Sequence, residues 1–168
     1  MPLSKPRKVH AEFMSPEVAS GEIDNPAGMS RRIRDFVLAV IVIGTVGLIA
    51  ELLLQEHTES WQQWIPLVLL GLGLAATALV RMRPSRSTVM VFRLLMAAFL
   101  GAGLFGVYLH YAGNVEFAVE RKPELTGMKL IWEALRGATP ALAPGAMVQL
   151  GLLGLVYAYR HPADRSTT

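Results

Sequence analysis

The chain has 168 residues, 52% of them hydrophobic and 17% charged, with no cysteine and a formal net charge of +3; its mean hydropathy is +0.40. A soluble globular domain carries about a quarter charged residues, and here the deficit is gathered into four long apolar runs. This excludes a disordered protein, a disulfide-stapled secreted scaffold and a large multidomain enzyme, and the missing cysteine excludes thiolate zinc, iron–sulfur and c-type haem chemistry.

Residues 1–30 are polar, hold Pro2, Pro6, Pro16 and Pro26, and read as a flexible cytoplasmic tail. They do not form a secretory signal, because the first apolar run begins too late and runs too long. Residues 31–162 read as an all-α membrane domain. A helix needs roughly 20 apolar residues to cross a hydrocarbon core of about 30 Å. Four segments qualify: Phe36 to Leu54, with Glu51 as its only charge; Trp61 to Val80; Val89 to Ala112, with Arg93 near its start; and Ala141 to Tyr159. Helix is the state that satisfies every backbone group inside such a segment. Between the third and fourth spans, residues 123–136 predict a short amphipathic helix, with Pro123 in its first turn and Gly137 at its end. Leu125, Met128, Ile131, Trp132 and Leu135 recur at helical spacing, which suits a helix lying on the outer membrane surface or docking a partner. Residues 163–168 form a short cytoplasmic tail. The fold expected is a polytopic four-transmembrane-helix bundle with a short amphipathic outer helix between spans 3 and 4.

Basic residues set the orientation. The N-terminal segment, the Arg81 to Arg86 turn, Arg93 and the C-terminal end carry 12 of the 16 Lys and Arg residues and six carboxylates. The opposite side carries Arg121, Lys122, Lys129 and Arg136 against seven carboxylates, so both termini face the cytoplasm. Trp61, Trp64, Tyr108, Tyr111, Tyr157 and Tyr159 fall at span ends, where amphipathic rings prefer to sit. The partner this implies is the lipid bilayer of a bacterial-type inner membrane. Nucleic acid is excluded, because the cations flank apolar runs instead of lining a soluble face.

Glycine and alanine on the spans predict close helix packing, for in lipid it is small residues that let helices approach. Ala98, Ala102 and Gly106 form one ladder and Ala97 and Gly101 a second, suited to packing within the chain or to a homodimer. Gln149 is the strongly polar side chain inside the fourth span, with Thr45 and Thr77 at matching depth as candidate bonding partners. Arg93 lies close enough to the cytoplasmic surface to anchor its span there.

The candidate site is an outer polar cluster: Glu51, His57, His110, Asn114 and Glu116, drawn from separate segments at one membrane level. A carboxylate within a span is costly and marks a site by default, and His with Glu can bind metal or relay protons. No ligand pair at fixed spacing, P-loop, dinucleotide-binding glycine pattern or nucleophile elbow is present, so no enzyme activity and no cofactor is expected. The function expected is a structural or accessory subunit of a membrane assembly, with another membrane protein or a second copy as partner. A small transporter or a metal- or haem-linked protein using the outer cluster is the alternative. Met29 heads the run Met-Ser-Arg-Arg-Ile-Arg directly before the first span and is the expected translation start. Intact mass of the native protein checks this: the mass expected begins at Met29 or Ser30, and a mass that includes Pro2 rejects it.

Overall fold

The computed structural model describes residues 26–56, 60–137 and 142–164. The helices are α1 Pro26–Leu54, α2 Trp61–Met82, α3 Arg86–Arg121, α4 Gly127–Leu135 and α5 Leu142–Ala158, followed by a 3-10 turn at Pro162–Asp164. The chain divides into two compact units, Met1–Ile33 and Arg34–Thr168. Of the first, only the opening turns of α1 belong to the described residues; the packing below is that of the second. Of the predicted tail over residues 1–30, residues 1–25 lie outside the described residues, and the last five, from Pro26, open α1.

The chain is all-helical, and α1, α2 and α3 are long and apolar enough to cross a membrane. At 17 residues, α5 is about 25 Å long, shorter than the predicted fourth span. Its predicted first residue, Ala141, lies outside the described residues. Its far end stops at Ala158, where Arg160 takes a left-handed backbone at φ 46° and Pro162 bars His161 from continuing the helix.

The third helix is longer than predicted, and the segment after it is correspondingly shorter in helix. Ser85 caps α3: its hydroxyl accepts from the Thr88 amide at 3.2 Å, and the Thr88 hydroxyl accepts from the Ser85 amide at 2.8 Å. Beyond Ala112 the helix continues for more than two further turns, because Asn114 and Ala118, four residues apart, both bury their side chains. The predicted 123–136 helix contracts to Gly127–Leu135. Pro123 sits instead in the turn after α3, closed by the Leu125 amide donating to the Lys122 carbonyl at 3.0 Å. Gly127 then takes φ +58°, a backbone that glycine adopts without steric cost.

Helix α3 is central, packing against α2, α4, α5 and the C-terminal turn. Phe92, Met96 and Phe99 on α3 are fully buried together with Leu70 and Val80 of α2 and Ile41 of α1. The α3–α5 contact is backbone against backbone. A Cβ at Gly151 would stand 2.7 Å from the Met96 carbonyl oxygen and 2.8 Å from the Leu100 nitrogen; one at Gly103 would stand 2.7 Å from the Pro144 carbonyl oxygen. Gly154 makes room for Met96 and Gly73 for the Phe99 ring. Of the two predicted ladders, Ala98, Ala102 and Gly106 are half-buried and Gly106 meets Pro144, whereas Ala97 and Gly101 are exposed.

The seam separates two kinds of glycine. Gly151→Ala forces two backbones apart and is expected to lower stability by about 1–3 kcal/mol. Gly101→Ala meets nothing within 4 Å and should be neutral or stabilising by up to about 1 kcal/mol, through helix propensity alone. Unfolding in detergent, followed by circular dichroism, compares them; equal effects reject the seam.

Candidate functional site

The residues of the outer cluster predicted from sequence come from α1, α3 and the segment after α1. Glu51 is half-buried on α1, and its carboxylate accepts from the Gln55 amide at 3.1 Å, one turn on. His57 lies outside the described residues. His110 is half-buried on α3, Asn114 one turn later is buried, and Glu116 is exposed. Among the described residues, no three His, Asp or Glu side chains gather where one metal ion could hold them. Gln149 stands on the exposed side of α5. The two threonines that matched its depth are buried and bond within their own helices, Thr45 donating to the Ile41 carbonyl and Thr77 to the Gly73 carbonyl, both at 2.7 Å.

Asn114 belongs to a different constellation. The α4 segment folds back along the end of α3, so that the Lys122 ammonium donates to the Glu133 carboxylate at 2.7 Å and Gly137 packs against the Asn114 side chain. The bonded Lys122 ammonium holds the Glu133 carboxyl below the ordinary carboxylate range. Between the two helices lies a cleft of about 290 Å³, lined by Asn114, Phe117, Arg121, Lys122, Glu133 and Arg136 among others. The Arg121 guanidinium rests 5.3 Å from the Phe117 ring centre. Three of the four basic residues on this side of the chain thus meet at one cleft. Sequence reasoning missed it by ending the third span at Ala112; the spacing of Asn114, Ala118 and Arg121 at i, i+4 and i+7 is the signal that extends the helix and places them on one face.

At the opposite end of α3, charged groups close the C-terminus of α5. The last carbonyls of a helix lack partners inside it and carry its negative dipole end. Arg93 donates to the Ala158 carbonyl at 2.6 Å and pairs with Asp164 at 2.5 Å. Arg34 donates to the carbonyls of Tyr159 and Arg160, each at 3.2 Å. Arg93, predicted as a surface anchor, is therefore also the clasp of the C-terminal turn, and the packed chain extends through Asp164. The His161 ring lies tilted against Tyr157 with centres 5.5 Å apart, and Tyr157 itself meets Phe92 edge-on at 5.4 Å. The Ala163 amide donates to His161 Nδ1 at 3.2 Å, which requires that nitrogen to be unprotonated.

Comparison with protein families, with curated proteins and with solved structures gives no match.

The clasp titrates in one direction. Burial, reinforced by Arg34, pushes the His161 imidazole below its ordinary value, and the hydrogen bond from Arg93 holds the Asp164 carboxyl below its own. A group whose pKa is depressed on folding stabilises the fold above its unfolded pKa and loses that contribution as pH falls through the folded value. Stability should therefore fall on acidification, first below about pH 6.5 as His161 protonates and again below about pH 4 as Asp164 does. Melting temperature measured across this range checks the sign. Asp164→Asn should lower the melting temperature at pH 7 and reduce the more acidic of the two steps, leaving the share that the Lys122-bonded Glu133 contributes; a variant whose loss in that step equals the parent's rejects the clasp.

Proposed function

We propose that this chain is a four-span protein of a bacterial-type inner membrane, with both termini cytoplasmic, acting as a structural or accessory subunit of a membrane assembly. Three helices long and apolar enough to cross support the membrane setting. At 17 residues, α5 lies at the short end of the spanning range of about 17–25. Large apolar side chains stand exposed along the long helices, among them Ile43 on α1, Leu72 on α2 and Leu94 and Phe105 on α3. Acyl chains are the natural cover for such a surface. The basic clusters at Arg31 to Arg34 and Arg81 to Arg86 support a cytoplasmic side for the ends that carry them.

The observation that carries the accessory role is the filling of the interior. Phe92, Met96, Phe99 and Leu70 are fully buried where the helices meet, and α3 and α5 touch backbone to backbone. A solute path along that axis would have to part backbones that touch at Gly103 and Gly151. Glu51 and His110, which a proton or metal pathway would use, are half-buried on their own helices.

Blue-native electrophoresis of membranes in mild detergent, with mass spectrometry of the band, tests this role. The expected result is a discrete assembly in which the chain and another membrane protein recur at fixed stoichiometry. A chain that migrates alone or only with its own copies, or that carries stoichiometric metal or haem lost in His110→Ala, overturns it in favour of the outer-cluster reading.

A further inference from the structure

We propose that the cleft between α3 and α4 binds the headgroup phosphate of an anionic phospholipid, with the exposed apolar side of α4 beside it. The proposal rests on the membrane-spanning reading and is independent of the accessory role.

Charge selects the ligand. Arg121, Lys122 and Arg136 line the cleft against a single carboxylate, Glu133, and that carboxylate is already bonded to Lys122. Two guanidiniums are left to meet an anion, and planar guanidinium pairs phosphate oxygens with two parallel hydrogen bonds. A choline or ethanolamine headgroup brings a cation that would face Arg121 and Arg136 with no carboxylate to receive it. The lining thus favours an anionic headgroup over a zwitterionic one. At about 290 Å³, the cleft is near the lower limit of ordinary ligand sites. It suits a phosphate and its polar neighbours, while acyl chains must run outside it.

An apolar flank adjoins the cleft. Ala134 is buried against α3, so the opposite side of α4 faces outward, and Met128, Trp132 and Leu135 stand there 76%, 61% and 65% exposed. These three follow helical spacing and leave a large apolar stripe uncovered by the chain. Leu104, Phe105, Tyr108 and Leu109 of α3 are exposed as well. A bilayer is an occupant that would cover apolar residues on both helices.

The test uses the full chain purified in nonionic detergent, with phosphatidylglycerol or phosphatidylcholine added at equal concentration and retained lipid read by native mass spectrometry. The expected result is one phosphatidylglycerol held per chain in preference to phosphatidylcholine. Arg121→Gln with Arg136→Gln should weaken it at least about tenfold, since each charge-assisted bond contributes more than one factor of ten. Lys129→Gln, which removes a charge from α4 outside the cleft, should retain it. The single variants Arg121→Gln and Arg136→Gln decide the matter if the double variant does not fold. Equal retention of both lipids, indifference to the arginines, or complete displacement of phosphatidylglycerol by excess inorganic phosphate overturns the proposal; the last outcome would make the cleft a site for free phosphate. Flotation of the parent protein with vesicles separates this failure from the larger one, because a chain that does not float refutes the membrane reading itself.

Discussion

Helices α3 and α5 hold together through how closely their backbones approach. Gly151 sits against the Met96 carbonyl and Gly103 against the Pro144 carbonyl, each without space for a methyl group. At that distance dispersion contacts run along both backbones, and many small attractions sum where one large side chain would have held the helices apart. The rest of the packing follows from this seam. Met96 turns toward Gly154, Phe99 projects the other way into the space left by Gly73 of α2, and Leu150 reaches Gly44 of α1. Each large side chain is matched to a missing one on the facing helix.

The seam also determines what the helix ends can do. Because α5 is held tight against α3, its last carbonyls fall within reach of Arg93, which lies inside the α3 helix. Arg93 is only half-buried, and one guanidinium serves both a helix terminus and Asp164. That arrangement satisfies an arginine whose burial without partners would be costly. At the far end of α3 the chemistry reverses. In the cleft there the cations outnumber the carboxylates, and α4 shows its apolar side outward. A clasp at one end and a cationic cleft at the other distinguish the two ends of α3.

Much of the helical outline was legible because hydrophobicity in a membrane is a property of segment length. The runs from Phe36, Trp61 and Val89 declare themselves by the absence of charge, and their helices match to within a few residues except where charge returns. The end of α3 was lost for that reason: Glu116, Glu120 and Arg121 mark the end of an apolar run, yet they do not stop a helix whose Asn114 and Ala118 are buried by α4. The candidate site was legible only in its residue types. Sequence depth placed Glu51, His110 and Asn114 together, but depth carries no rotation about the helix axis, and rotation is what sends Asn114 toward Gly137. Gln149 was misjudged on the same ground: its depth matched Thr45 and Thr77, while its helix turns it outward.

The opening composition, with few charges and an excess of three positive ones, therefore determined the helical class and the apolar segments, because those depend on transfer energies summed along the chain. Tertiary structure decided which glycines touch, which arginines meet a carbonyl or a carboxylate, and which cations share a cleft. Those depend on azimuth and on distances of a few ångströms between segments far apart in sequence. Such distances are set only when α3 and α5 close on one another.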